Sequence, residues 1–116
     1  MVKKTIIRKN KRVLPKRVKN DVLSYIELIK KDKIPIEKVI VFGSYAKGKP
    51  HKWSDIDICI ISPNFKKPFS VLHYLLKKSY QIKSIIEPHP YHPKDFINED
   101  PLVWEIKKTG IEVMAK

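Results

Sequence analysis

A chain of 116 residues, 42% of them hydrophobic, is expected to form one domain over residues 1–116 with a core of its own. Its 25 Lys and Arg against 12 Asp and Glu give a net charge of +13; such a field favours a nucleotide, nucleic acid or acidic protein surface as partner, although a lysine-rich solvated surface gives the same count. The lack of an apolar run of about eighteen residues argues against a spanning helix, the lack of an apolar leader against secretion, and the single Cys59 against an internal disulfide; a reducing, cytoplasmic setting is expected.

Residues 1–14 hold Lys3, Lys4, Arg8, Lys9, Lys11 and Arg12 and no acid. They read as a basic arm or a short edge strand with a basic rim, and a frayed terminus has the same composition. Pro15 suits a first helical turn. Val18, Val22, Ile26 and Ile29 then recur at helical spacing, with Leu23 and Leu28 widening the stripe, so a helix is expected to about Lys31. Asp32 to Pro35 ends it.

Glu37 to Phe42 is apolar and β-branched and reads as a buried strand. Residues 44–48 read as a turn or short helix, and Pro50 to Ser54 as loop. Asp55 to Ile61 is a second buried strand, closed by Ser62-Pro63-Asn64. Phe69 to Ser79 places Val71, Leu72, Leu75 and Leu76 on one helical face. Tyr80 to Glu87 is expected to be a third strand centred on Ile82, Ile85 and Ile86. Pro88, Pro90 and Pro93 then hold an extended segment and begin a short helix near Asp95. Asp100 can cap a further helix with Pro101 in its first turn, Leu102, Val103 and Ile106 inward, and Gly110 at its end. Ile111 to Met114 alternates as a last strand.

Residues two apart on a strand share a face, so Asp55 and Asp57 project together, opposite Ile56, Ile58 and Ile60. Two carboxylates so close repel unless a cation lies between them. Mg²⁺ suits this arrangement, since it binds through one or two carboxylates plus substrate phosphates. A solvated strand end carrying two aspartates is the plainer reading, against which stands the rarity of aspartate in buried strands. Glu87 closes the third strand and completes an acidic cluster if that strand lies beside the second; there it could bind metal and take a proton from an attacking hydroxyl.

Gly43 follows the first strand directly and lets the backbone approach a phosphate. Ser44 adds a hydroxyl and an N–H, and Lys47 and Lys49 lie within reach of the same triphosphate. Gly43 to Lys49 also fits most of a P-loop, but Pro50 stands where Ser or Thr should hold magnesium, and that reading fails there.

Gly43-Ser44 followed by Ser54-Asp55-Ile56-Asp57 resembles the nucleotidyltransferase signature of the DNA polymerase β superfamily, and the spelling Gly-Ser-Tyr-Ala-Lys-Gly resembles its minimal nucleotidyltransferases. The likeness is close over Val39 to Glu87. It implies an α+β fold, a small mixed sheet packed by helices, with a nucleoside triphosphate, by preference ATP, and two Mg²⁺ ions bound. By that resemblance Gly43 and Ser44 address phosphate, Asp55 and Asp57 hold metal, and Glu87 stands where the family commonly has a third aspartate. Lys47 stands where relatives often carry arginine. The reaction implied is in-line attack of a hydroxyl on the α-phosphorus with loss of pyrophosphate. Minimal members are often paired with a helical HEPN toxin, which they adenylylate as its antitoxin, and a tyrosine of such a partner is the expected acceptor.

His89 and His92 flank Tyr91 and could form a zinc pair, but without a third ligand at standard spacing they read as loop residues near the site mouth. Trp53 could stack on a base or anchor the loop. Cys59 reads as a small core residue. Trp104, Tyr25, Tyr74 and Tyr80 read as core or partner contacts. A second class of function stays open beside the enzyme: a binding module that neutralises a protein partner or holds nucleic acid through its basic surface.

Overall fold

Among the described residues, four strands and three helices follow one another in an order that puts helices on both faces of one sheet. The structure, a computed structural model, describes residues 12–51 and 54–115. Most of the expected basic arm, and Trp53, lie outside the described residues. The elements are α1 (Lys16–Lys31), β1 (Lys38–Phe42), β2 (Ile56–Ile61), α2 (Pro68–Ser79), β3 (Ile86–Tyr91), a single 3-10 turn (Pro93–Asp95), α3 (Pro101–Thr109) and β4 (Ile111–Ala115). The sheet order is β3-β2-β1-β4. β1 pairs antiparallel with β2 and with β4, whereas β2 and β3 run parallel. The sheet is therefore mixed and the fold α+β, as expected.

Alternation along the strands sends side chains to two separate cores. Val39, Val41, Ile56, Ile58, Ile60 and Ile86 meet the buried stripe of α1 (Val18, Val22, Tyr25, Ile26, Ile29) and Leu75 of α2. Burying each such aliphatic side chain contributes about 1.5–3 kcal/mol. The Tyr25 hydroxyl donates to the Leu75 carbonyl at 2.8 Å and ties α1 to α2; burial pushes its pKa well above the usual range. On the opposite face Ile40, Phe42, Cys59 and Ile61 pack against Ile106 of α3. No described helix is long and apolar enough to cross a membrane.

The helix boundaries follow local chemistry. Pro15 precedes α1, and its carbonyl accepts from Lys19 N–H at 3.0 Å. Asp100 caps α3, its Oδ1 accepting from the N–H groups of Leu102 at 2.9 Å and Val103 at 3.4 Å. Gly110 ends α3 for a reason other than backbone freedom, since its φ is −72°. A Cβ there would run into Ile40 Cγ2 and the Ile106 carbonyl, so glycine is what lets the end of α3 lie on β1.

The third strand departs from expectation. Tyr80 to Ile85 is turn, with Tyr80 exposed, and the strand runs through Pro88 and Pro90 to Tyr91. Proline is tolerated because β3 is an edge strand. Ile85 and Tyr91 turn their carbonyls to β2, accepting from Ile56 at 2.8 Å and Ser62 at 3.0 Å. Alternation then aims the main-chain groups of residues 86, 88 and 90 away from the sheet, where a missing N–H costs no ladder bond and discourages pairing with another chain. Leu72 also differs from the expected inward face of α2, being partly exposed.

Candidate active site

Two register relationships build the site. Phe42 stands opposite Asp57 across β1 and β2, so Gly43 leaves β1 right beside the Asp57 side chain. Asp57 also stands level with Glu87 across the parallel β2–β3 pair. Residues level in a sheet project to the same face, so Glu87 meets Asp57 on the face that carries α3. His89, two residues on, shares that face.

Gly43 is required twice. Its φ of +76° lies in the left-handed region, and a Cβ would occupy the position of the Asp57 carboxylate. The chain then winds into a tight turn over residues 43–48. Lys47 N–H donates to Gly43 O at 3.1 Å, Lys49 N–H to Ser44 O at 2.9 Å, and Gly48 returns with φ +72°. The buried Tyr45 anchors this turn to α1. Its hydroxyl accepts from Arg17 at 3.2 Å, Arg17 also donates to Ser84 Oγ at 2.7 Å, and Ser84 donates to Asp21. The Arg12 guanidinium lies against Gly48, in the space a Cβ there would take.

Asp57, Glu87 and His89 each offer an atom, all within 4.8 Å of one another. A hydrogen bond with Asp57 comes first among the causes that hold the Glu87 carboxyl above the usual carboxylate range. Burial and the charges of Asp57 and Asp55 act in the same sense, and His89 acts against them. Asp55 is exposed just ahead of β2 and lies outside this tight set. His89 Nε2 stands 3.5 Å from Asp57 Oδ1, within ion-pair range but too long for a hydrogen bond, and is buried without a hydrogen-bond partner among the described residues. The cluster therefore holds two carboxylates pressed together and one orphaned imidazole nitrogen, a donor set that a divalent cation would satisfy.

Residues 23–114 match the family described as Nucleotidyltransferase domain. The chain belongs to this family. Two Methanocaldococcus jannaschii proteins described as candidate protein adenylyltransferases are similar to it. One is 34% identical over 88 residues, covering 69% of this chain and 88% of the relative; the other is 32% identical over 91 residues, covering 76% and 87%. A Sulfolobus solfataricus structure described as a candidate nucleotidyltransferase shares the fold with a TM-score of 0.53 and 20% identity, over 84% of this chain and 76% of that one. A toxin–antitoxin crystal structure with AMP-PNP gives a TM-score of 0.55 at 18% identity, over 84% and 73%. The chain of a complex between a tri-AMPylated Shewanella oneidensis HEPN toxin and its MNT antitoxin gives 0.50 at 17%, over 83% and 73%. The family implies a nucleotide substrate and a divalent metal.

The basic residues of this nucleotidyltransferase are placed unevenly. Lys47 pairs with Glu105 of α3 at 2.9 Å, both side chains being well exposed. Lys49 is exposed past the turn, and Ser44 is half-buried beside Gly43. The two histidines part company. His92 accepts from Lys94 N–H at 3.0 Å and caps the 3-10 turn, while His89 lies inside β3, not in a loop. A zinc pair of the two has no support in this arrangement. His89 is the residue that sequence reasoning passed over as a cluster member. Its signal was the spacing of two from Glu87, hidden because Pro88 and Pro90 read as the end of a strand. Cys59 is buried between these elements and its thiol is pushed up to about 12 by burial, as suits a core residue. A groove of about 380 Å³ opens beside Glu87 and His89, with Leu72 and Leu76 of α2 on one wall and Pro88, Pro90 and Tyr91 on the other. A cavity of the same volume at Lys38, Ile61 and Phe96 lies at the far end of the strands and holds none of the cluster.

Proposed function

We propose that this nucleotidyltransferase moves AMP from ATP to a hydroxyl of a protein partner, by preference a tyrosine of a HEPN-type toxin. The observation that carries the reading is the level pairing of Asp57 with Glu87 beside the side-chain-free Gly43. The names of the M. jannaschii relatives and the AMPylated toxin beside an MNT antitoxin support the choice of AMP and of a protein acceptor.

In this reading Gly43 and Ser44 receive the triphosphate. Lys49 stands free to reach it, and Lys47 exchanges Glu105 for it, a surface ion pair worth only about 0–1 kcal/mol. Asp55, Asp57 and Glu87 would hold Mg²⁺, as two ions, which when bound offset charge on the phosphates and on the attacking and leaving oxygens. The acceptor oxygen forms a bond to the α-phosphorus as the bond to the β-phosphate oxygen breaks, and pyrophosphate leaves with the electron pair. Glu87 takes the hydroxyl proton, as a carboxylate facing the attacking oxygen can.

The test uses α-labelled ATP, Mg²⁺ and a HEPN-type chain co-produced with the protein. Wild type is expected to label the partner, and Asp57→Asn to reduce labelling to background while melting no lower than wild type, since it removes one of two facing carboxylates. Equal labelling by Asp57→Asn would overturn the reading. Binding of the partner with no dependence on Mg·ATP would favour the binding module instead.

A further inference from the structure

His89 has no part in the roles above, yet the fold holds it rigidly. It sits mid-strand between Pro88 and Pro90, whose rings fix the backbone on either side. Its register partner is the buried Cys59. Its ring meets the Phe42 ring in an edge contact, centroids 4.8 Å apart and planes at 65°. The imidazole is thus pinned from two strands with Nε2 directed at Asp57, and that nitrogen is buried without a hydrogen bond. Buried polar atoms are rarely left without a hydrogen bond, and an imidazole nitrogen so placed, within 4.8 Å of two carboxylate oxygens, completes a set of metal-ligand atoms.

We propose that His89 binds the metal directly through Nε2, so that Asp57, Glu87 and His89 form an oxygen, oxygen, nitrogen site that prefers a first-row transition ion to Mg²⁺ and holds it without nucleotide. The proposal rests on the metal-dependent reading above. Its chemistry follows from the donors. Mg²⁺ selects oxygen ligands, keeps several waters and depends on substrate phosphates for much of its hold. An imidazole nitrogen adds affinity along the series from Mn²⁺ to Zn²⁺ and little for Mg²⁺. Three protein donors within 4.8 Å also lessen the dependence on a triphosphate.

The probe is Mn²⁺ alone, added to the full chain without nucleotide. Free ion is followed by electron paramagnetic resonance, and bound ion is examined by spin echo for coupling to a ligand ¹⁴N. Wild type is expected to bind Mn²⁺ and to show the coupling. His89→Gln should lose the coupling and bind Mn²⁺ at least about tenfold more weakly, with Mg²⁺ affinity changed much less. The spectrum must be tested against this variant because the chain has four histidines. Mn²⁺ bound without ¹⁴N coupling, coupling that survives in His89→Gln, or no Mn²⁺ binding without nucleotide would each overturn the proposal. If His89→Gln fails to fold, His89→Asn serves in its place, and absence of coupling in wild type decides on its own. Calorimetry with Mg·ATP separates the two readings, since ATP can bind and transfer can proceed with His89 uninvolved.

Discussion

The Asp57 carboxylate occupies the space that any side chain at position 43 would need. Gly43 and Asp57 lie fourteen residues apart in sequence and in contact across β1 and β2, so the turn and the acidic strand can change only together. Gly43→Ala meets both the collision and the left-handed φ, which alone costs about 1–2 kcal/mol. A loss of about 2–4 kcal/mol in urea denaturation is expected, set by that strain plus overpacking. Gly48→Ala shares the strain but meets only the end of the Arg12 side chain, and should lose about 1–2 kcal/mol. Equal losses at the two positions would show that the Asp57 contact is without consequence.

Gly110 offers the opposite case, a glycine with an ordinary φ of −72°. Gly110→Ala should still destabilise, by about 1–3 kcal/mol, because the methyl enters the contact between Ile40 and the last turn of α3. Chemical denaturation measures it. A gain in stability, as expected for alanine in open space, would mean that α3 does not rest on β1 as described.

Asp32 accepts from the Tyr74 hydroxyl at 2.5 Å and pairs with Lys78 at 2.9 Å, joining the end of α1 to α2. The Tyr74 hydrogen bond first, then Lys78, lower its pKa. A lowered folded pKa means that this contribution is complete above the unfolded value near 4 and is lost as pH falls through the folded value. The melting temperature of wild type should therefore exceed that of Asp32→Asn by a small constant margin from about pH 5 to pH 7. The margin should close as pH drops below about 4. A margin that widens in acid would contradict the assignment. The pair is exposed, so its size is modest.

Burial raises the Cys59 thiol to about 12, outweighing the opposing charge of Lys38. The thiolate is the reactive form. A disulfide reagent at pH 8 should leave the native protein unlabelled on the timescale of minutes and label it fully in denaturant. Rapid stoichiometric labelling of native protein would remove Cys59 from the core of the α3 face.

Much of this architecture is legible because it is local. The stripe of Val18, Val22, Ile26 and Ile29 becomes the buried face of α1, and β1 and β2 appear within one residue of their expected bounds. Asp100 with Pro101 announces the start of α3, and the capping bonds are present. Gly43 stands out in the sequence for its lack of a side chain, though the neighbour that demands it, Asp57, is fixed only once the strands pair. The third strand lies several residues beyond where its apolar pattern points, because proline is a breaker in the interior of a sheet and tolerable at its edge. Nothing local states which strand is at the edge.

By itself the sequence determined the helical stripes, the apolar strands and the presence of glycine, serine and two aspartates at a spacing that marks the family. These follow from backbone freedom and side-chain periodicity, which act over a few residues. The tertiary structure alone decided that β3 runs parallel to β2 with Glu87 level with Asp57, that His89 joins them, and that Lys47 turns to Glu105. Those relationships depend on strand register and helix placement between distant segments. They are set by how two apolar cores close around one sheet, and the order of residues along the chain does not carry that information in any local pattern.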